Sequence, residues 1–284
     1  LNQMSKYVCG VVMYVVAILK GVYLADAAVL VPESGTFGRV AVSRQFAGYR
    51  RVGIIRNGFF SFRWSQILET GRITAPENIT VLKARRTGGD AQSPWAPAPI
   101  DEVVSTIASV KPAVVFAPHV ETASGMMLPD DYMKKIADAV HAVGGLFVLD
   151  CIASGAMWVD MQAIGVDVLV SAPQKGWSSS PACAMVCLSD RALKTLEGTT
   201  STSYACDLKK WHQIMQAYET GSHAYHATMP TMALLKLRDT MQETRERGFA
   251  KVREQQIELG RKVRALMEGR GLPSVAAEGF KAPG

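Results

Sequence analysis

The sequence predicts an α/β fold: a mostly parallel sheet sandwiched by helices, followed by the beginning of a smaller, truncated C-terminal domain. Three observations predict it. Short apolar runs rich in β-branched residues alternate with helical stretches through the N-terminal part of the chain, the pattern of a parallel sheet covered on both faces. Polar residues sit just past several of those runs, where open α/β sheets place their ligands. After Leu188 the short runs give way to helical periodicity, as in a connector to a second unit.

Strands are expected at 27–31, 51–56, 79–83, 113–117, 146–150, 167–171 and 184–188. Helices are expected at 61–70, 100–109 and 129–143. The last begins with Pro129, Asp130 and Asp131 and stops at Gly144-Gly145, which suits the positive start and the glycine end of a helix. The stretch 91–99 holds three prolines and reads as a surface loop. Residues 191–197 and 208–218 are further helices, and 231–268 reads as one long helical region with a solvated charged face. Residues 8–19 carry no charge; twelve residues are too few to span a bilayer, so this segment is expected to be a buried helix. The domains are placed at 1–245 and 246–284. A start at Leu1 and a stop at Gly284 after a possible strand beginning read as a cut at both ends.

Composition narrows the classes. Lys+Arg 31 against Asp+Glu 25 gives a net charge of +6, yet no Arg-rich run or basic–aromatic stripe points to nucleic acid. Five cysteines in no paired spacing argue for free thiols in a reducing, cytoplasmic setting. Cys183 and Cys187 lack a nearby His pair, so no metal site is expected.

The chemistry begins with Asp150, which ends one run, and Lys175, which follows the next in Ser171-Ala-Pro-Gln-Lys. In one parallel sheet both emerge at the same edge. A lysine able to form a Schiff base, opposed by a carboxylate for a pyridinium nitrogen, is what pyridoxal 5′-phosphate requires of its protein. Ser34-Gly35-Thr36 follows a strand and opens a helix, so backbone N–H groups and hydroxyls there can close on a phosphate; an ordinary strand-to-helix turn has the same composition. Phe59-Phe60 lies at another strand end, where a ring can stack on a flat cofactor or simply join the core. His119-Val-Glu-Thr122 follows a third, with a hydroxyl for a phenolic oxygen; His119 itself reads as structural. Tyr225 and Thr228 lie in a polar cluster ahead of the last helical region and can supply hydroxyls to a phosphate. The spacing His223-x-x-His226 has no carboxylate or cysteine partner nearby in sequence.

Together these motifs resemble the class V, fold-type I pyridoxal-phosphate aminotransferases, the group of alanine–glyoxylate, serine–glyoxylate and serine–pyruvate transaminases. The resemblance rests on Val148-Leu-Asp150-Cys-Ile-Ala-Ser154-Gly and Ser171-Ala-Pro-Gln174-Lys175-Gly, with support from Ser34-Gly-Thr36, Asn57-Gly-Phe-Phe60, His119-Val-Glu-Thr122-Ala-Ser-Gly125 and Tyr225-His-Ala-Thr228-Met-Pro230. It implies that Lys175 carries the cofactor and moves the substrate proton, that Asp150 keeps the pyridinium nitrogen protonated, and that Phe60 stacks on the ring. It implies Thr122 at the phenolic oxygen, Ser34, Gly35, Thr36 and Gln174 on the phosphate side, and Tyr225 and Thr228 reaching the phosphate of a neighbouring subunit in a homodimer with shared sites. The implied substrates are a small amino acid, alanine or serine, and glyoxylate or a similar 2-oxo acid. The family's substrate-carboxylate Arg lies beyond this chain, which keeps a truncated non-catalytic relative as an alternative. A class V lyase or desulfurase is the other, although Gln174 before Lys175 and a stacking Phe differ from the desulfurase pattern. A serine hydrolase on Trp177-Ser-Ser-Ser180 lacks the G-x-S-x-G elbow.

Overall fold

The structure is a computed structural model and describes residues 2–283. Its central sheet comprises β1 (Ala27–Pro32), β2 (Val52–Arg56), β3 (Ile79–Lys83), β4 (Val114–Pro118), β5 (Leu146–Asp150), β6 (Val168–Ser171) and β7 (Cys183–Leu188). The 7-stranded order is β1-β7-β6-β5-β4-β2-β3. Pairs β6–β5, β5–β4, β4–β2 and β2–β3 are parallel, and β7 runs antiparallel between β1 and β6. Every strand except β7 therefore points one way, and the segments following β1, β2, β4, β5 and β6 leave the same edge. The register places Asp150 opposite Val170 on β6 and Pro118 on β4. Strands β4 to β7 are buried throughout, which explains their continuous apolar composition: helices cover both faces.

The helices are α1 (Lys6–Tyr23), α2 (Gly35–Phe46), α3 (Phe59–Thr70), α4 (Ile100–Val110), α5 (Asp130–Ala142), α6 (Met161–Ile164), α7 (Asp190–Glu197), α8 (Leu208–Glu219), α9 (Thr231–Arg247) and α10 (Phe249–Glu268). In α1 the Ser5 hydroxyl caps Val8 N–H, and Val8, Val11, Val12, Val15, Val16 and Leu19 are buried, the i, i+3, i+4 spacing of a core-facing stripe. Each such side chain stabilises the fold by about 1.5–3 kcal/mol. The helix is longer than the expected 8–19; by length and composition it is apolar enough to cross a membrane, but here its apolar stripe packs into the protein core.

Two further expectations are corrected. The region 231–268 is two helices, because Gly248 turns to φ 93° between them, a conformation glycine adopts at little steric cost. The 91–99 stretch is not wholly surface: Arg86 pairs with Trp95, and Ala98 is buried with its carbonyl accepting the Tyr132 hydroxyl at 2.6 Å.

Candidate active site

A cavity of about 310 Å³ opens at the strand-end edge. It brings together Ser34, Gly35 and Thr36 after β1, Phe60 at the start of α3, Thr122 beyond β4, Asp150 at the tip of β5, and Gln174 and Lys175 beyond β6. Tyr225 and Thr228 do not line it. They lie exposed in the segment joining α8 to α9.

The phosphate-side candidates lie at the start of α2. Its N-cap, Ser34, makes no side-chain hydrogen bond to the helix, so its hydroxyl and the orphan N–H groups of the first turn are available to an anion. Gly35 leaves room for the loop after Asp150: a Cβ at this position would stand 2.5 Å from Ile152 Cδ1, so that side chain would have to turn aside. Glu33, just before, holds φ 103°, backbone that favours glycine.

Asp150 is almost fully buried. Its Oδ1 accepts the Ile152 N–H at 3.1 Å and its Oδ2 accepts Arg39 Nε–H at 2.7 Å. A carboxylate offers about four acceptor positions, so capacity for a further donor remains. Lys175 is exposed to the cavity, and its amine makes no hydrogen bond or ion pair among the described residues. The loop carrying it is seated firmly. Gly176 meets Gly155 backbone to backbone, where a Cβ would fall 2.1 Å from the Gly155 oxygen. Trp177 packs on Trp158 and Phe249 at centroid distances of 4.8 and 6.1 Å. The lysine and aspartate loops are thereby fixed to each other.

Glu121 joins the two remaining walls. It is fully buried and accepts Phe60 N–H (3.1 Å), Ser61 N–H (2.8 Å), the Ser61 hydroxyl (2.7 Å) and Ala123 N–H (3.2 Å). A carboxylate at a helix start is favoured by the exposed N–H groups and the dipole; here it ties Phe60 to the Thr122 loop. Arg63, one turn along α3, lies over the Phe60 ring at 4.8 Å. His119 is buried with Nδ1 2.8 Å from the Ser154 hydroxyl. Burial first, and then Arg253, lower its pKa to about 4, so the ring is neutral near pH 7 and serves structure. Burial likewise raises the Cys183 and Cys187 thiols to about 12, and all five cysteines are free. No group of three or more metal-ligating side chains occurs among the described residues.

Arg39, Arg63, Glu121 and Gln256 were not legible as site residues. Gln256 on α10 accepts Ala156 N–H at 2.5 Å and donates to the Ser154 carbonyl at 3.2 Å, bracing the loop after Asp150 from a distant part of the chain.

The profile described as "Aminotransferase class-V" matches residues 76–278, and the chain belongs to that family, whose cofactor is pyridoxal 5′-phosphate. The alanine–glyoxylate aminotransferase of Felis catus is 27% identical over 178 residues, covering 61% of this chain and 42% of that protein. The L-aspartate–glyoxylate aminotransferase of Paracoccus denitrificans (strain Pd 1222) is 28% identical over 173 residues, covering 59% and 40%. The chain thus spans about two fifths of the length of these relatives. The crystal structure of an alanine–glyoxylate aminotransferase from Nostoc sp. has the same fold, with a TM-score of 0.84 at 19% identity over 100% of this chain and 72% of that one.

The residues present fit the family's cofactor. The cavity is the size of a small-ligand site. It offers an unpartnered amine, a buried carboxylate with spare acceptor capacity, an uncapped helix start and the Gln174 Oε1, which is buried without a hydrogen-bond partner.

Proposed function

We propose that this chain binds pyridoxal 5′-phosphate through Lys175 and transfers an amino group from alanine or serine to glyoxylate or a similar 2-oxo acid. The observation that carries this reading is the shared cavity: Asp150 and Lys175, from adjacent parallel strands, open on one space together with Ser34, Thr36, Phe60, Thr122 and Gln174. When bound, the cofactor supplies an electron sink that draws charge from the substrate Cα.

The chain's own residues do the rest. The first turn of α2, with the Ser34 and Thr36 hydroxyls, holds the phosphate. Gln174 adds a polar contact on that side. Phe60 offers an apolar face to the ring, and Glu121 keeps that face in place through α3. Thr122 orients the ring's phenolic oxygen by a hydrogen bond. Asp150 accepts the ring N–H. The Lys175 Nζ, free of competing partners, takes the substrate Cα proton and returns it, general base and then acid at one atom. Arg63 carries no ionic partner among the described residues and offers a cation to an anionic group at the cavity wall.

Residues 1–245 form the cofactor-binding domain in this reading, and 246–284 the connecting helix and the start of a second domain. Exposed Tyr225 and Thr228 serve the phosphate of a second copy in a homodimer with shared sites. The free, buried cysteines suit a cytoplasmic protein.

Adding pyridoxal 5′-phosphate to purified protein should produce an absorbance band near the visible edge that Lys175→Ala abolishes. A folded wild type without that band contradicts the proposal. Conversion of the cofactor to its amine form by L-alanine separates a working transferase from a non-catalytic relative that only binds.

A further inference from the structure

The buried ion pair between α2 and the tip of β5 bears on the ring nitrogen that Asp150 faces, and the inference rests on the functional reading above. Arg39 donates to Asp150 at 2.7 Å with the two side chains only 4% and 5% exposed. Among the described residues the charged and titratable groups around Asp150 include Arg39 on α2, His119 beyond β4 with Arg253 of α10 acting on it, Cys151 next in the chain, and Arg63 and Lys175 lining the same cavity. His119, whose backbone N–H donates to the Asp150 backbone carbonyl at 2.9 Å, has its ring kept neutral by burial, and the Cys151 thiol is held well above its ordinary value by the same cause. Arg39 is therefore the permanent charge in contact with this carboxylate.

We propose that Arg39 is a positioning residue that shares Asp150 with the cofactor and thereby loosens the proton on the cofactor's ring nitrogen. An unshared buried carboxylate stabilises a pyridinium by the attraction of opposite charges. A carboxylate already neutralised by a guanidinium does so less, because the protonated ring becomes a second cation against one anion. The proton lost from the ring nitrogen goes to solvent; Asp150 remains ionised and Arg39 keeps its charge. The same pair fixes the carboxylate's rotamer, so Asp150 presents its remaining acceptor positions in one direction.

The test is 15N NMR of holoenzyme loaded with pyridoxal 5′-phosphate labelled at the ring nitrogen, titrated with pH in wild type, Arg39→Met and Arg39→Lys. The ring-nitrogen proton of Arg39→Met should persist to a pH about one to three units higher than in wild type, and Arg39→Lys should titrate like wild type. An unchanged midpoint in Arg39→Met overturns the proposal. Arg39→Met leaves Asp150 buried without its partner and threatens folding. If it does not fold, Arg39→Gln, which keeps a donor to Asp150 but removes the charge, takes its place: the same upward shift supports the proposal, and an unchanged midpoint overturns it. A folded wild type that takes up no cofactor removes the functional reading and this inference with it, a result distinct from an unchanged titration.

Discussion

Gly176→Ala tests whether the lysine loop and the aspartate loop are one rigid unit. The added Cβ would lie 2.1 Å from the Gly155 carbonyl oxygen and 2.5 Å from its carbonyl carbon, more than an ångström inside ordinary contact. Neither side yields easily. Gly155 holds φ 59°, and its neighbours are bonded to Gln256 of α10. Trp177, next to the substituted residue, is 1% exposed among other aromatic rings. Overpacking of this kind costs about 2–3 kcal/mol. Parting the loops also moves Lys175 away from Asp150, and misplacement on the ångström scale is expensive where two groups act on one ligand. Urea denaturation should therefore show a loss of about 2–3 kcal/mol, and cofactor titration a dissociation constant raised roughly tenfold. A stability change under about 0.5 kcal/mol with unaltered cofactor uptake would refute the coupling.

Gly10→Ala in α1 is the matching control: nothing lies within 4 Å of its Cβ position, and thermal melting should show a gain of about 0.5–1 kcal/mol. Glu33→Gly should stabilise by about 1 kcal/mol by relieving left-handed strain and should tighten cofactor binding by removing a negative charge beside Ser34; an unstable variant speaks against strain at that position. Glu121→Ala strips an acceptor from four buried or half-buried donors and should lose about 3–4 kcal/mol in denaturant, with altered cofactor absorbance as Phe60 and Thr122 shift. His119 has a folded-state pKa lowered from 6.5 to about 4, so its contribution is fully present above pH 6.5 and is lost as pH falls towards 4. Wild type should lose about 3 kcal/mol across that window; a His119→Gln variant with the same pH profile would show that another group is responsible.

The sheet was readable because strands buried on both faces leave uninterrupted β-branched runs such as Leu146–Asp150 and Val168–Ser171. The candidate site followed because parallel strands must deliver their ends to one edge. Residues that act through tertiary contact left weaker traces. Arg39 sits on the inner face of α2, and its only cue was a charge on a face otherwise turned to the core; nothing local indicated that a residue 111 positions away would receive it. Glu121 resembled one more polar residue beside His119 and Thr122, since the α3 N–H groups it accepts come from another segment. Gln256 looked like part of a solvated helix face. The break at Gly248 was hidden because a single glycine is tolerated within helical patterns, and only its dihedral reveals the turn.

The most direct measurement of the central claim is borohydride reduction of the holoenzyme followed by peptide mass spectrometry, run beside Asp150→Asn. If Asp150 and Lys175 embrace one ring, a single phosphopyridoxyl adduct should appear on the Lys175 peptide, and Asp150→Asn should bind the same cofactor more weakly. An adduct on a different lysine, or full-strength binding after the aspartate is changed, would contradict the account.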